Sequence, residues 1–501
     1  MTNDHSTNAA DPRRWQALAV IAAATLMVVL DASIVNIALP PAQRDLQISD
    51  ADRHWVITAY TLAFGGLLLL GGRVADYVGR KRIFLIGLIG FAGASALGGF
   101  AQNAAMLFGA RALQGAFAAL LAPAALSLIA VTFVEARERA RAFGVYGAVA
   151  GGGGAIGLIL GGVLTEYASW RWCLLVNAPI AIVAVLAALP TVRESRADGE
   201  RHYDVPGAIL VTGGLVALVY GFTEAARDGV GWLAPSTLVL IATAIVLLAA
   251  FIVVEARTAH PLLPLRVVVD RNRGGAFLVS LLIGAGMFAI FLFLTYYFQV
   301  NLGYGPLRSG LAFLPFSAGI IVSAALASTL LPRFGPRPLL VVGMAMGTAG
   351  LLLLSGLDSS STYVSIVLPS QIIMSVGLGL VFVPLNSVAL SNIALRDAGV
   401  ASAMVNATQQ VGGALGVALL NTLYAAALTS YLTSNRPGIA GDRAFQLDGF
   451  LHGYRIAFTV GGAILAFALL VVIVLIDPKR DAVLSSQDAI ASDRDTISPS
   501  V

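Results

Sequence analysis

The sequence predicts an all-α, polytopic membrane protein that crosses the bilayer fourteen times. Three observations carry this expectation. Only 12% of the 501 residues are charged and 58% are hydrophobic, against about 25% and about 45–50% in soluble domains. Apolar runs of about 20 residues, the length that spans a bilayer, follow one another along the chain. Basic residues cluster in alternate loops.

The runs lie near 15–40, 54–72, 82–101, 104–133, 143–165, 171–190, 206–223, 235–254, 275–299, 308–331, 337–357, 363–392, 398–427 and 451–476. The first is read as a retained span, because no small-residue cleavage site ends a short apolar region there. With the N-terminus placed inside, 22 of the 31 Lys and Arg residues fall in inside loops and tails, and eight fall outside. The remaining one, Arg111, lies within the fourth run. This bias predicts that both termini are cytoplasmic. The polar, Ser- and Asp-rich tail 477–501 is expected to be disordered.

A weak internal repeat divides the chain. Gly79-Arg-Lys-Arg-Ile-Phe-Leu-Ile-Gly87 opens the third run, and Gly335-Pro-Arg-Pro-Leu-Leu-Val-Val-Gly343 opens the eleventh. The expected organisation is an N-terminal tail (1–14), a six-helix half (15–190), a linker with two extra helices (191–273) and a second six-helix half (274–476). Parallel halves of this kind place a transporter's substrate site at their interface.

Asp31 is the first candidate for chemistry. It lies deep in the opening span, where a charge is costly and marks a functional site by default. It is a candidate proton carrier; the alternative is a structural acid held by a neighbouring Arg. Arg111 and Gln114, three residues apart, share one face of the fourth span. Arg111 keeps its charge and needs an acceptor or water, so it could tune Asp31 or else reach an interface. In the loop 71–82, Gly72 and Gly79 allow a tight turn, and Asp76 can pair with Arg80 in a gate. Gly153, Gly157 and Gly161-Gly162 give the fifth span a smooth groove for close helix contact. Candidate cavity residues are Trp55, Tyr60, Gln114, Asn177, Tyr296, Tyr297, Gln299, Phe316, Phe382, Asn386, Asn406 and Gln409. An apolar, aromatic cavity would accept varied lipophilic ligands.

Other functions are excluded by what is missing. The two lysines, Lys81 and Lys479, are not in a phosphate-binding Gly-x-x-x-x-Gly-Lys-Ser/Thr pattern, and there is no zinc motif or Gly-x-Ser-x-Gly elbow. Cys173 is the only cysteine, and the five histidines lack ligand spacing, so no metal and no other cofactor are expected. No basic run is interleaved with aromatics, which argues against nucleic acid. An ion gradient is the expected energy source.

These motifs resemble those of the major facilitator superfamily. The 71–82 loop and the Arg111 segment are similar to its signatures. The Asp31 segment resembles the first-helix motif of fourteen-helix drug:proton antiporters of the QacA/EmrB type. The glycine-rich fifth span resembles their antiporter motif, except that Leu158 stands where Pro usually follows Gly157. The segment from Trp55 is similar to actinomycete antibiotic-resistance exporters, puromycin exporters among them. The resemblance implies a 6+2+6 major facilitator fold in a bacterial cytoplasmic (inner) membrane. It also implies proton-driven efflux of small lipophilic or cationic drugs, with protons and membrane lipids as further partners. A lipid or metabolite exporter on the same fold, and a non-transporting scaffold or sensor, are the alternatives.

Overall fold

The computed structural model describes residues 13–477 apart from 134, 197–203, 228–229, 260, 392, 394 and 435–442. The expected tails 1–14 and 477–501 lie almost wholly outside the described residues. Fourteen helices are long and apolar enough to cross a membrane. They are α1 (Arg14–Asp45), α2 (Trp55–Val78), α3 (Arg80–Gly99), α4 (Ala104–Thr132), α5 (Arg141–Tyr167), α6 (Trp172–Thr191) and α7 (Val205–Ala225). The others are α8 (Pro235–Arg257), α9 (Arg271–Asn301), α10 (Pro306–Phe334), α11 (Pro336–Leu354), α12 (Tyr363–Leu390), α13 (Val400–Ser434) and α14 (Arg443–Leu475).

Helices are what lipid permits, since each bonds its own backbone. Local chemistry sets their ends. Asn103 caps α4 by accepting the Met106 N–H at 2.9 Å, and Asp204 caps α7 by accepting that of Gly207 at 2.8 Å. Proline opens α8, α10 and α11, where a missing N–H costs nothing. Several helices outrun their apolar stretch: α1 extends to Asp45 and α14 begins at Arg443, not at 451. Hydropathy marks only the lipid-length part of a helix, whereas backbone bonding continues into its polar ends.

The internal repeat has a structural counterpart. Gly79 and Gly335 sit at matching turns, α2–α3 and α10–α11, with φ of 130° and 76°. Only glycine enters that region freely. In the first half α1 packs on α5, and α4 packs on α2 and α3; in the second, α9 packs on α13, and α12 packs on α10 and α11. The pattern therefore repeats with an offset of eight helices. The extra pair, α7 and α8, packs mainly on itself, and α7 also touches α2 and α13. Lipid-type side chains cover α8, with Val239, Ile245, Val246 and Ile252 exposed.

The halves meet mainly along two seams, α2–α13 and α5–α10, with a smaller contact of α1 on α9. Both seams are bonded at the face away from the arginine-rich loops. There Glu166 of α5 accepts the Leu307 N–H of α10 at 2.8 Å. Arg53, before α2, donates to Asn421 of α13 at 3.1 Å. Asn421 in turn donates to the Asp50 carbonyl at 2.9 Å. Toward the arginine-rich face the α5 seam parts. On a 3.6-residue period, Gly144, Gly147 and Gly151 share the stripe of Leu158 and Gly162. Leu158 and Gly162 touch α10. The other three have nothing within 4 Å of a Cβ position.

Candidate functional site

Asp31 lies at the centre of a polar network inside the first half. Its side chain is wholly buried. Arg111 Nη1 of α4 donates to Oδ2 at 2.5 Å. Gln114 Nε2, one turn further along α4, donates to Oδ1 at 2.9 Å. Asn177 Nδ2 of α6 donates to the same oxygen at 2.8 Å. The carboxylate thus has three donors from two helices.

Each donor is itself held. Arg111 Nε donates to the Val56 carbonyl of α2 at 2.9 Å, and Nη1 also reaches Gln114 Oε1 at 2.7 Å. Its guanidinium lies 4.5 Å from the centre of the Tyr60 ring, a cation–π contact. Asn177 also donates to Ser95 Oγ at 2.9 Å, and Ser95 donates to the Leu174 carbonyl at 2.8 Å. A buried ion pair is weak evidence for net stability, but loss of one partner strands a charge. The full set of hydrogen bonds makes this one tolerable.

The glycine groove of α5 positions α1, which carries Asp31. A Cβ on Gly157 would meet Ser33 Oγ at 2.0 Å and the Leu30 carbonyl at 2.9 Å; one on Gly153 would meet Val29. Gly161 faces Ile34 in the same way, and Gly162 faces Leu307 of α10. So three of the four glycines seat α1 within its own half, and one serves the seam. Leu158 presents its carbonyl to Gly310 of α10.

The 71–82 segment is helical through Val78, so Gly72 lies inside α2 and Gly79 alone makes the turn. The expected pair forms, with Arg80 Nη2 2.8 Å from Asp76. A residue that sequence reasoning missed organises the turn. Glu194, after α6, accepts the backbone N–H of Lys81 at 3.1 Å and of Arg82 at 3.2 Å. An anion at that helix start is favoured by the exposed N–H groups and the helix dipole. A Cβ on Gly79 would run into the Glu194 carboxylate at 2.8 Å, whereas Gly72 only grazes Pro123.

The candidate cavity residues separate into groups. Tyr60, Gln114 and Asn177 belong to the Asp31 network. Tyr296 and Gln299 join the halves at the closed face: the Tyr296 hydroxyl bonds Gln43, and Gln299 donates to the Ile37 carbonyl at 3.0 Å. Tyr297 bonds the Ser361 carbonyl at 3.2 Å, and Trp55 packs 6.0 Å from Tyr220 of α7. Phe316 is buried, 5.5 Å edge-on to Phe291. Asn386 and Asn406 are exposed within otherwise apolar helices, while Phe382 and Gln409 are half-buried. Among the described residues no three His, Cys, Asp or Glu side chains gather as a metal site would need.

The Major Facilitator Superfamily sequence model matches residues 21–417. The chain belongs to the major facilitator superfamily. It is therefore a membrane transporter rather than an enzyme. Among superfamily members it is 51% identical to the puromycin resistance protein pur8 of Streptomyces alboniger, over 94% of this chain and 93% of that protein. It is 40% identical to the cephamycin export protein CmcT of Amycolatopsis lactamdurans, over 81% and 84%. The fold matches a bacterial homologue of the human lysosomal transporter Spinster in an inward-facing, unoccupied conformation. There the TM-score is 0.65 at 16% identity, over 95% of this chain and 98% of that one.

Proposed function

We propose that the protein exports lipophilic or cationic antibiotics from the cytoplasm in exchange for protons, by alternating access. The observation that carries this reading is the buried Asp31 carboxylate, ion-paired and saturated with donors at the core of the first half. Relatives named for puromycin resistance and cephamycin export supply the cargo class.

The arginine-rich face is cytoplasmic in this reading, following the charge bias. The parted α5 seam then faces the cytoplasm, and cargo enters between α5 and the second half. In this reading Asp31 exchanges the proton, and Arg111, its ion-pair partner, modulates it. Because α1 rests in the α5 groove, a change at Asp31 is felt directly at the α5–α10 seam. Asp76, Arg80 and Glu194 brace the cytoplasmic turn that the second half meets on closing.

The test is Asp31→Asn, a nearly isosteric change. Proton-driven uptake of puromycin into everted vesicles should be lost while the protein still reaches the membrane. Full uptake by this variant would remove Asp31 from the coupling step. Wild-type vesicles that drive no member of an antibiotic panel would overturn the cargo assignment.

A further inference from the structure

A second acidic pair lies outside the Asp31 network, where the extra helices reach the arginine-rich face. Asp204 is the N-cap of α7, and Glu255 is in the last turn of α8. Both are buried, at 5% and 3% exposure. Each satisfies one oxygen with a backbone N–H: Asp204 Oδ1 accepts from Gly207 at 2.8 Å, and Glu255 Oε2 accepts from Leu263 at 3.1 Å. The other two oxygens, Asp204 Oδ2 and Glu255 Oε1, are buried and have no hydrogen-bond donor among the described residues. They crowd the same point, since a Cβ on Gly207 would meet them at 2.6 and 2.9 Å.

Two buried carboxylates cannot both keep a charge there without a cation. Among the described residues no cation is bound to them, and neither makes an ion pair there. Arg257 and Arg266, the cations on α8 and on the turn Leu265–Val269, are exposed. On α2, Asp76 is engaged with Arg80, and Arg73 bonds neither carboxyl. The side chains of Arg396 and Asp397, just before α13, and Glu200, Arg201, His202 and His260, beside the pair in sequence, lie outside the described residues. The helix termini distinguish the two acids. An anion suits the start of α7, where Asp204 sits, and is disfavoured at the end of α8, where Glu255 sits.

We propose that Asp204 and Glu255 form a proton-binding carboxyl pair, in which Glu255 carries one proton on Oε1 and donates it to Asp204 Oδ2. A single proton satisfies both orphaned oxygens and removes one charge. It ties the end of α8 and the Leu263 loop to the start of α7. That helix lies against both halves: Thr212 touches the Gly66 position of α2, and Thr422 of α13 donates to the Phe222 carbonyl at 2.9 Å. Release of the proton sets two like charges side by side and loosens this brace.

The sign of the pH dependence follows. The folded protein holds a proton that the unfolded chain gives up in neutral solution, so stability falls as pH rises. Thermal unfolding of the purified full-length protein in lipid nanodiscs, from about pH 6 to about pH 9, reads this directly. The wild-type midpoint should fall across the range. Glu255→Gln, whose amide donates as the protonated acid does, should keep its low-pH midpoint throughout. An unchanged slope in Glu255→Gln overturns the proposal. Should that variant not fold, the wild type decides through dicyclohexylcarbodiimide, which modifies protonated carboxyls in apolar surroundings. Modification of Glu255 that declines with rising pH supports the pair; none at any pH overturns it. Neither readout involves transport, so failure here leaves the export reading untouched.

Discussion

The two halves share a packing pattern but not a chemistry. In the first, α1, α4 and α6 bring an acid, a guanidinium and two amides into one saturated network around Asp31. In the second, the described interior residues are uncharged and partly aromatic, and the buried cation stacked on them, Arg53, comes from the first half. Phe293 of α9 lies 5.5 Å from Tyr424, 6.3 Å from Tyr454 and 6.2 Å from Phe458. Gln371 of α12 is fully buried, and both of its amide atoms lack a hydrogen-bond partner. Duplicated architecture has thus been divided by role. One half carries the buried charge, and the other offers surface that packs without ionising.

The contrast makes opposite predictions for polar-to-apolar changes. Arg111→Leu strands Asp31 in the protein interior, and the expected loss is about 3–5 kcal/mol of stability, read as a large drop in unfolding midpoint. Adding Asp31→Leu should recover most of that loss without restoring transport. A single variant that unfolds like the wild type would break the comparison. Gln371→Leu removes an amide already without partners, so its effect should lie between neutral and a gain of about 1 kcal/mol. A strong loss in the same assay would show that the second half also depends on a polar network.

The smallest effect sits at the edge of the first half. Glu138 accepts two hydrogen bonds from Arg14, both at 2.8 Å. The Arg14 hydrogen bond holds its carboxyl below the usual range. The stability this contributes is present above the ordinary carboxylate range and is lost as pH falls through the lowered value. Glu138→Gln should therefore flatten a slight acid-side decline. That slope is opposite in sign to the one expected from Asp204 and Glu255.

Charge and periodicity made much of this legible in the sequence. Fourteen apolar runs became fourteen helices, and Asp31 met Arg111, because an isolated charge in an apolar run must find a partner. Gln114, Asn177 and Tyr60 were expected in a cavity but lie in the Asp31 network. Nothing local distinguishes an amide facing cargo from one facing an acid 146 residues away. Ser95 was missed because a small hydroxyl among Gly and Ala leaves no pattern. Glu194 was missed because it read as one more charge in a polar linker, although its position after α6 lets it cap α3. The α5 groove was legible as a groove but not by its occupant, which is α1.

The glycines on the parted stretch of α5 have an evolutionary consequence. At Gly144, Gly147 and Gly151 an added methyl displaces nothing, and within a helix Ala is favoured over Gly by about 0.5–1 kcal/mol. Mutation at these sites is permissive ground. The shape of the opening can drift one residue at a time while fold stability holds or rises, so a new cargo profile need not be preceded by a compensating change elsewhere.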